Sequence, residues 1–239
     1  MSSSAAARAA TRHRSAPGIL RWGAAIAGVL LRLTTRTRST GGHHLPASGS
    51  FIVASNHLSA ADPVVLGHFL AAHGAPPHFL AKHSLFGVPV LGRLLRAGGQ
   101  IPVHRNSSRA GDSLVAARRA LAAGHCVVVY PEGTFTTDPK LWPMAGRSGV
   151  GRLALASGRP VIPVGHWGVQ NLLARGGRLP KICPRPRIEI RAGAPVELSD
   201  LYGREDPAAA REATDRIMAA ITDVVAELRG EPAPPGPQQ

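Results

Sequence analysis

Short apolar runs alternate with helical segments through most of the chain, and this alternation constrains the fold more than any other feature. The clearest run, Cys126–Tyr130, is rich in β-branched residues and carries no charge, so it predicts a buried strand. Such alternation predicts an α/β layered fold, a single domain whose largely parallel central sheet is flanked by helices. The predicted strands are 51–55, 78–81, 99–103, 126–130, 160–164 and 187–191, and the predicted helices are 62–72, 89–96, 107–123, 149–157 and 207–229.

Two Asp-Pro pairs mark helix starts, because aspartate caps free N–H groups and proline fits the first helical position. One pair begins at Asp62 and the other at Asp206. The second precedes an amphipathic helix whose apolar residues share one face as far as Gly230. The residues at 187–191 alternate between polar and apolar, which predicts an edge strand.

The chain ends differ from this domain in composition. Residues 1–17 are rich in Ser, Ala and Arg without a hydrophobic pattern, which predicts a disordered basic tail. Residues 18–36 predict an amphipathic helix with an uncharged stretch of ten residues, whereas a membrane span needs about 20. This helix is therefore expected to lie in a membrane interface or to pack on the domain. The globular domain is expected over 37–229, and the Pro-rich residues 230–239 as a second disordered tail.

The formal net charge of +14 favours anionic partners, such as phospholipid surfaces, nucleic acid or phosphorylated small molecules. Five Phe and two Tyr are too few for the aromatic-rich strands of a single-strand nucleic-acid binder, so no nucleic acid is expected.

Two cysteines cannot form a disulfide framework, and a reducing compartment is the default. The eleven histidines lack the spacing of a zinc site, so no metal is expected.

Polar clusters follow the predicted strands, which is where ligands bind in folds of this kind. The first cluster contains Asn56 and His57, with Asp62 five residues further on. Because Asp62 precedes a proline, helical geometry is disfavoured there, and a turn can bring its carboxylate onto the imidazole. A histidine held in one tautomer by a carboxylate is a general base near neutral pH. The alternative is that Asp62 only caps the helix and His57 is an ordinary loop residue.

Three further clusters lie at the same predicted sheet edge. Glu132, Gly133 and Thr134 follow the strand at 126–130, where the glycine permits a sharp turn and the threonine offers a hydroxyl to an anion. Arg105 follows another strand, in a place suited to phosphate recognition. Pro163 ends or bends the strand at 160–164, and simple core packing is its other interpretation.

Taken together and in this order, the four clusters resemble the motifs of the glycerol-phosphate acyltransferase superfamily, most closely the bacterial 1-acyl-glycerol-3-phosphate acyltransferases. The Asn-His-x4-Asp motif spans 56–62, Gly-x-Ile-Pro-Val-x-Arg spans 99–105, and Val-Ile-Pro-Val spans 161–164. The remaining motif departs from the family, because Phe135 stands where an arginine is usual. Lys82 lies in a stretch similar to the family's segment between its first two motifs, and Arg147 lies in a stretch similar to the basic patch that follows the motif at 130–135. The resemblance covers about residues 48–200.

The resemblance implies transfer of a fatty acyl group from an acyl thioester, on coenzyme A or acyl carrier protein, to the free hydroxyl of lysophosphatidate. The product would be phosphatidate, and no cofactor is implied beyond the donor substrate. His57 would be the general base and Asp62 would orient it. The resemblance gives the substrate-binding residues as Asn56, Lys82, Arg105, Glu132, Gly133, Thr134, Arg147 and Pro163.

The replacement at Phe135 leaves the acceptor open. Either Arg105, Lys82 and Arg147 suffice to bind a phosphate, or the acceptor is another lysolipid or a glycolipid. A non-catalytic basic protein that binds membrane surfaces would explain the charge, but not why the motif residues coincide with strand ends. The expected location is the cytoplasmic face of the cell membrane, peripheral or monotopic, at an anionic surface. No pattern in the sequence predicts an oligomeric state.

Overall fold

The computed structural model describes residues 28–104, 110–177, 179–204 and 206–236. Their strands form one seven-stranded sheet in the order β1-β7-β6-β2-β5-β3-β4. The strands are β1 (Arg36–Thr40), β2 (Phe51–Ser55), β3 (Pro77–Lys82), β4 (Ile101–Val103), β5 (Cys126–Val129), β6 (Val161–Trp167) and β7 (Arg187–Ala192). The helices are α1 (residues 28–34), α2 (Asp62–Ala72), α3 (Leu91–Ala97), α4 (Ala110–Ala122), α5 (Gly149–Ser157), α6 (Val169–Leu172) and α7 (Pro207–Arg229).

The sheet is mostly parallel, and this confirms the fold class. Strands β6, β2, β5, β3 and β4 run in one direction. Strand β7 is antiparallel to β6, and β1 is parallel to β7. Every residue of β2 and β5 is buried, because helices cover both faces of the sheet. The carboxyl ends of the five parallel strands therefore meet at one edge, which we call the carboxyl edge.

Two apolar clusters fill the spaces between the sheet and its helices. One lies under α4, α5 and α7 and the other under α1 and α2. Helix α7 begins as predicted, because the carboxylate of Asp206 accepts a hydrogen bond from the N–H of Ala209 at 2.8 Å. It ends before Gly230, which has a left-handed φ of 65°. Among the described residues there is no helix long and apolar enough to cross a membrane.

The edge of the sheet differs from the prediction. Strand β7 lies between β1 and β6, so it is not an edge strand. The true edge is β1, which the sequence pattern missed because its Arg-Thr-Arg-Ser-Thr side chains are polar and almost all exposed. Strand β6 continues to Trp167, three residues past the expected end at Val164.

The predictions for the termini are covered only in part. The predicted tail 1–17 and most of the predicted helix 18–36 lie outside the described residues. Residues 28–34 of that helix are helical, with Leu31 buried and Leu30 and Leu33 exposed. In the tail predicted over 230–239, residues 231–236 form neither helix nor strand, and 237–239 lie outside the described residues.

Helix α5 approaches α7 closely at Gly151, where an added Cβ would lie 2.1 Å from the carbonyl oxygen of Ala210. Gly149 in the same helix has nothing within 4 Å of its Cβ position. We expect Gly151→Ala to lower the free energy of unfolding by about 1–3 kcal/mol, because α7 must move outward. Gly149→Ala should be neutral or stabilising by up to about 1 kcal/mol. Chemical denaturation of the two variants measures this, and equal midpoints would show that the helices do not pack as described.

Candidate active site

A tight turn between β2 and α2 brings His57 and Asp62 together. One carboxylate oxygen of Asp62, Oδ2, accepts hydrogen bonds from the N–H groups of Leu58 at 2.6 Å and Ser59 at 2.8 Å. The same oxygen lies 2.9 Å from Nδ1 of His57. The two backbone bonds fold the turn around the carboxylate, which is how two residues five apart in sequence come into contact.

This arrangement fixes the tautomer of His57. An ionised carboxylate can only accept hydrogen bonds, so Nδ1 of His57 must carry the proton that it donates to Asp62. The lone pair of the neutral ring is then on Nε2. Asp62 is fully buried, whereas His57 is 9% exposed. The histidine therefore lies at the boundary between the interior and the carboxyl edge of the sheet.

The loop after β5 holds the backbone of His57 on both sides. Oε1 of Glu132 accepts a hydrogen bond from the N–H of His57 at 3.2 Å, and the N–H of Thr136 donates to the carbonyl of His57 at 2.8 Å. The second oxygen, Oε2, accepts from the N–H of Met144 at 3.1 Å. Burial raises the pKa of Glu132 to about 7, even though the two backbone N–H groups act in the opposite direction.

Two aromatic rings enclose the imidazole. The ring of Tyr130 stacks on His57 with centroids 4.0 Å apart and an interplanar angle of 11°. Phe135 packs against His57 with its centroid at 4.3 Å and a tilt of 54°. Phe135 thus occupies the motif position where an arginine is usual and restricts the imidazole ring instead of supplying a charge. Burial raises the pKa of Tyr130 well above its usual range, so this ring stays neutral.

A second histidine, which the sequence interpretation missed, lies behind the first. Nε2 of His166 is 3.6 Å from Oδ2 of Asp62 and 2.9 Å from the backbone carbonyl oxygen of Asn56. The side-chain amide of Asn56 pairs with the backbone of His166, donating to its carbonyl and accepting from its N–H, both at 3.0 Å. Complete burial lowers the pKa of His166, which favours the neutral ring. The signal in the sequence that could have identified His166 is the presence of a histidine in an otherwise apolar strand.

The structure separates the predicted binding residues into buried and exposed sets. Asn56, Glu132 and Pro163 are buried and make their contacts inside the protein. Pro163 lies in the interior of β6, opposite Ala54, because the strand continues past the expected end.

The exposed set lies on loops at the carboxyl edge. Gly133 has a φ of +72°, and a Cβ there would lie 3.0 Å from Nε of Arg147, so the glycine lets this arginine cross the loop. Thr134 is exposed beside it. Lys82 is exposed at the end of β3, which is separated from β2 by β5. Arg105 lies outside the described residues.

A family model described as Acyltransferase matches residues 36–167, which is more than half of the chain. The chain belongs to this acyltransferase family. The matched range includes β1 to β6 and ends just past His166.

Curated relatives of this acyltransferase carry a more specific name. The chain is 28% identical over 159 residues to a 1-acyl-sn-glycerol-3-phosphate acyltransferase of Borreliella burgdorferi, covering 63% of this chain and 61% of that protein. It is 26% identical over 199 residues to the alpha form from Ovis aries, covering 82% and 66%. The match therefore spans less than two thirds of either relative.

A solved structure shares the fold of this acyltransferase. The 1-acyl-sn-glycerophosphate acyltransferase PlsC from Thermotoga maritima superimposes with a TM-score of 0.69 at 22% identity, covering 90% of this chain and 82% of that one. The same layered α/β architecture therefore occurs in a protein of low sequence identity.

The raised pKa of Glu132 predicts a pH-dependent stability. Between about pH 4.5 and pH 7 the folded chain retains a proton that the unfolded chain releases, so stability falls as pH rises through this window. Glu132→Gln removes the titration. We therefore expect the unfolding free energy of wild type, relative to this variant, to drop by up to about 3 kcal/mol from pH 4 to pH 8. Urea unfolding at both pH values measures it, and a pH-independent difference would contradict the assignment.

Proposed function

We propose that this acyltransferase transfers a fatty acyl group from an acyl thioester to the free hydroxyl of lysophosphatidate, giving phosphatidate. The observation that carries the proposal is the 2.9 Å contact between His57 and Asp62 at the carboxyl edge of the sheet. Its geometry suits a general base, and the names of the relatives point to the acceptor. Coenzyme A and acyl carrier protein are the two candidate carriers of the donor.

In the proposed reaction, the acceptor hydroxyl gives its proton to Nε2 of His57 while its oxygen attacks the thioester carbonyl carbon. The new C–O bond forms as the carbonyl opens to an oxyanion. When the carbonyl re-forms, the C–S bond breaks and the thiolate takes the proton back from Nε2. Asp62 stabilises the imidazolium that exists between these two steps.

No covalent acyl-enzyme intermediate is required in this reaction. Cys126 is buried, and burial raises the pKa of its thiol, so it is unsuited to act as a nucleophile.

Several buried residues would contribute by positioning His57. Glu132 and Thr136 hold its backbone, and the amide of Asn56 ties the turn to β6. A small displacement of a catalytic group can cost a large factor in rate, because the reacting atoms must be aligned when the substrates meet. These roles would let buried motif residues contribute to the site by holding His57 in place.

The acceptor phosphate would bind on the exposed loops of the carboxyl edge. Arg147 crosses Gly133 beside Thr134, and an arginine can bind a phosphate through two parallel hydrogen bonds. Lys82 and Arg105 are further candidates from the sequence. The cytoplasmic face of the cell membrane suits this reaction, because the net charge of +14 favours the anionic surface found there. Since Phe135 supplies no charge, a different lysolipid is the second candidate acceptor.

The reaction is tested by incubating purified protein with oleoyl-coenzyme A and lysophosphatidate and detecting phosphatidate by mass spectrometry. We expect His57→Ala and Asp62→Asn each to lower kcat by about 10²–10⁴-fold, because the first removes the base and the second the acceptor that fixes its tautomer. His43→Ala is the matched control, since His43 follows β1 and lies at the opposite edge of the sheet. Full activity in His57→Ala would refute the mechanism.

The phosphate site is tested by Arg147→Gln. We expect this change to raise KM at least about tenfold for lysophosphatidate and to leave KM unchanged for an acceptor that lacks the phosphate. Arg152→Gln is the control, because Arg152 is exposed one turn further along, in α5. An equal rise in KM for both acceptors would show that Arg147 does not bind the phosphate.

A further inference from the structure

A ridge of exposed apolar side chains follows β3. Leu85 and Val88 come from a short 3₁₀ helix and the residue after it, and Val90, Leu91 and Leu94 come from the start of α3. Their exposed fractions range from 39% for Leu85 to 64% for Val90. Soluble proteins rarely group large exposed apolar side chains in this way unless something covers them. We call these five residues the 85–94 ridge.

Close packing between α3 and the 3₁₀ helix supports the ridge. Phe86 is buried beneath it, and an added Cβ at Gly92 would lie 2.1 Å from the carbonyl oxygen of Phe86, so α3 rests directly on the 3₁₀ helix. Nη1 of Arg96 donates to the same carbonyl at 2.8 Å. The apolar side chains are therefore presented on a packed support and do not depend on a disordered loop.

Val90 shows that the exposed arrangement is imposed on the backbone. Its φ of 67° and ψ of −62° form a γ-turn, which the N–H of Leu91 closes by donating to the carbonyl of Pro89 at 2.8 Å. This conformation is strained for a β-branched residue. Strain of this kind persists where the surrounding structure determines it, and here it accompanies an exposed valine.

The ridge begins at the same edge of the sheet as the active site, where the chain leaves β3. Strand β3 is parallel to β2 and β5, so the chain leaves its carboxyl end at the edge where His57 lies. The ring of Phe79 in β3 also lies nearly parallel to the ring of Tyr130, at 6.2 Å between centroids. Tyr130 in turn stacks on His57. Other exposed apolar residues occur on segments at this edge, namely Val64, Leu179 and Ile182.

The charge around the ridge indicates what kind of surface the ridge can bind. The sequence contains no acidic residue between Asp62 and Asp112, whereas Lys82, Arg93 and Arg96 are exposed beside the ridge. Apolar side chains flanked by basic residues suit a bilayer surface that carries anionic headgroups.

We propose that the 85–94 ridge inserts into an anionic lipid surface and turns the active-site edge towards the bilayer. The choice of a bilayer rests on the proposed function, whose acceptor and product are lipids. Insertion would let an acceptor reach His57 from the lipid layer without passing through water.

The first test measures binding of the full chain to vesicles of phosphatidylcholine with and without phosphatidylglycerol, in the absence of any acyl donor. We expect Leu91→Glu/Leu94→Glu to weaken binding to the anionic vesicles at least about tenfold. The control is Val115→Glu, because Val115 is 50% exposed on α4 and is not part of the ridge. Unchanged binding of the double variant would overturn the proposal, and so would a wild-type dimer that the double variant converts to monomer.

The second test reports on position and does not depend on other membrane contacts of the chain. In a Cys183→Ser background the remaining cysteine, Cys126, is buried, so Leu94→Cys and Val115→Cys can each be labelled with an environment-sensitive fluorophore. With vesicles present, the label at 94 should shift to the blue and be reached by a quencher in the acyl chains, while the label at 115 should not. Bound protein with an aqueous label at 94 would refute insertion.

A third measurement separates this proposal from the proposed function. The double variant should turn over a short-chain, monomeric acceptor at the wild-type rate and lose at least about tenfold in rate with an acceptor embedded in vesicles. Equal losses with both acceptors would show that the ridge serves the active site and not the membrane. Vesicle binding and fluorescence test the ridge even if no acyl transfer is found.

Discussion

The carboxylate of Asp62 organises the active site through a single oxygen. Oδ2 faces two backbone N–H groups and one imidazole nitrogen within 2.9 Å, and the residue is fully buried. A buried charge is costly unless it is hydrogen-bonded, so the turn at 58–61 and the carboxylate stabilise each other. His57 is held because it is the third donor. Loss of the charge would therefore disturb both the turn and the orientation of the ring.

The rest of the site limits how far this turn can move. The loop after β5 holds the backbone of His57 through Glu132 and Thr136, and β6 holds the preceding residue through the amide of Asn56. Three neighbouring parallel strands, β5, β2 and β6, thus help to hold one histidine in place. Rigid elements hold such groups more accurately than free loops do, and this explains why the motifs are spread over so much of the sequence.

The interior of this fold could be predicted from sequence, and its polar periphery could not. Strands β2 and β5 are buried on both faces and appear as continuous apolar runs, whereas edge strand β1 is exposed and has no apolar signal.

The motifs identified His57 and Asp62 because they are polar residues at a strand end. His166 was missed because Gly165 weakens the strand pattern before it, although Val224 of α7 packs directly over that glycine. The packing of Phe135 against His57 depends on a tertiary contact that no local pattern specifies.

The most direct test of this site is the tautomer of His57, which Asp62 should hold with the free lone pair on Nε2. It can be measured by nitrogen-15 NMR of histidine-labelled protein at a pH where the imidazole is neutral, with the His57→Ala spectrum used to assign the signal among eleven histidines. We expect His57 to carry its proton on Nδ1 in wild type and to lose this preference in Asp62→Asn. A wild-type His57 protonated on Nε2, or a tautomer unchanged in Asp62→Asn, would contradict it.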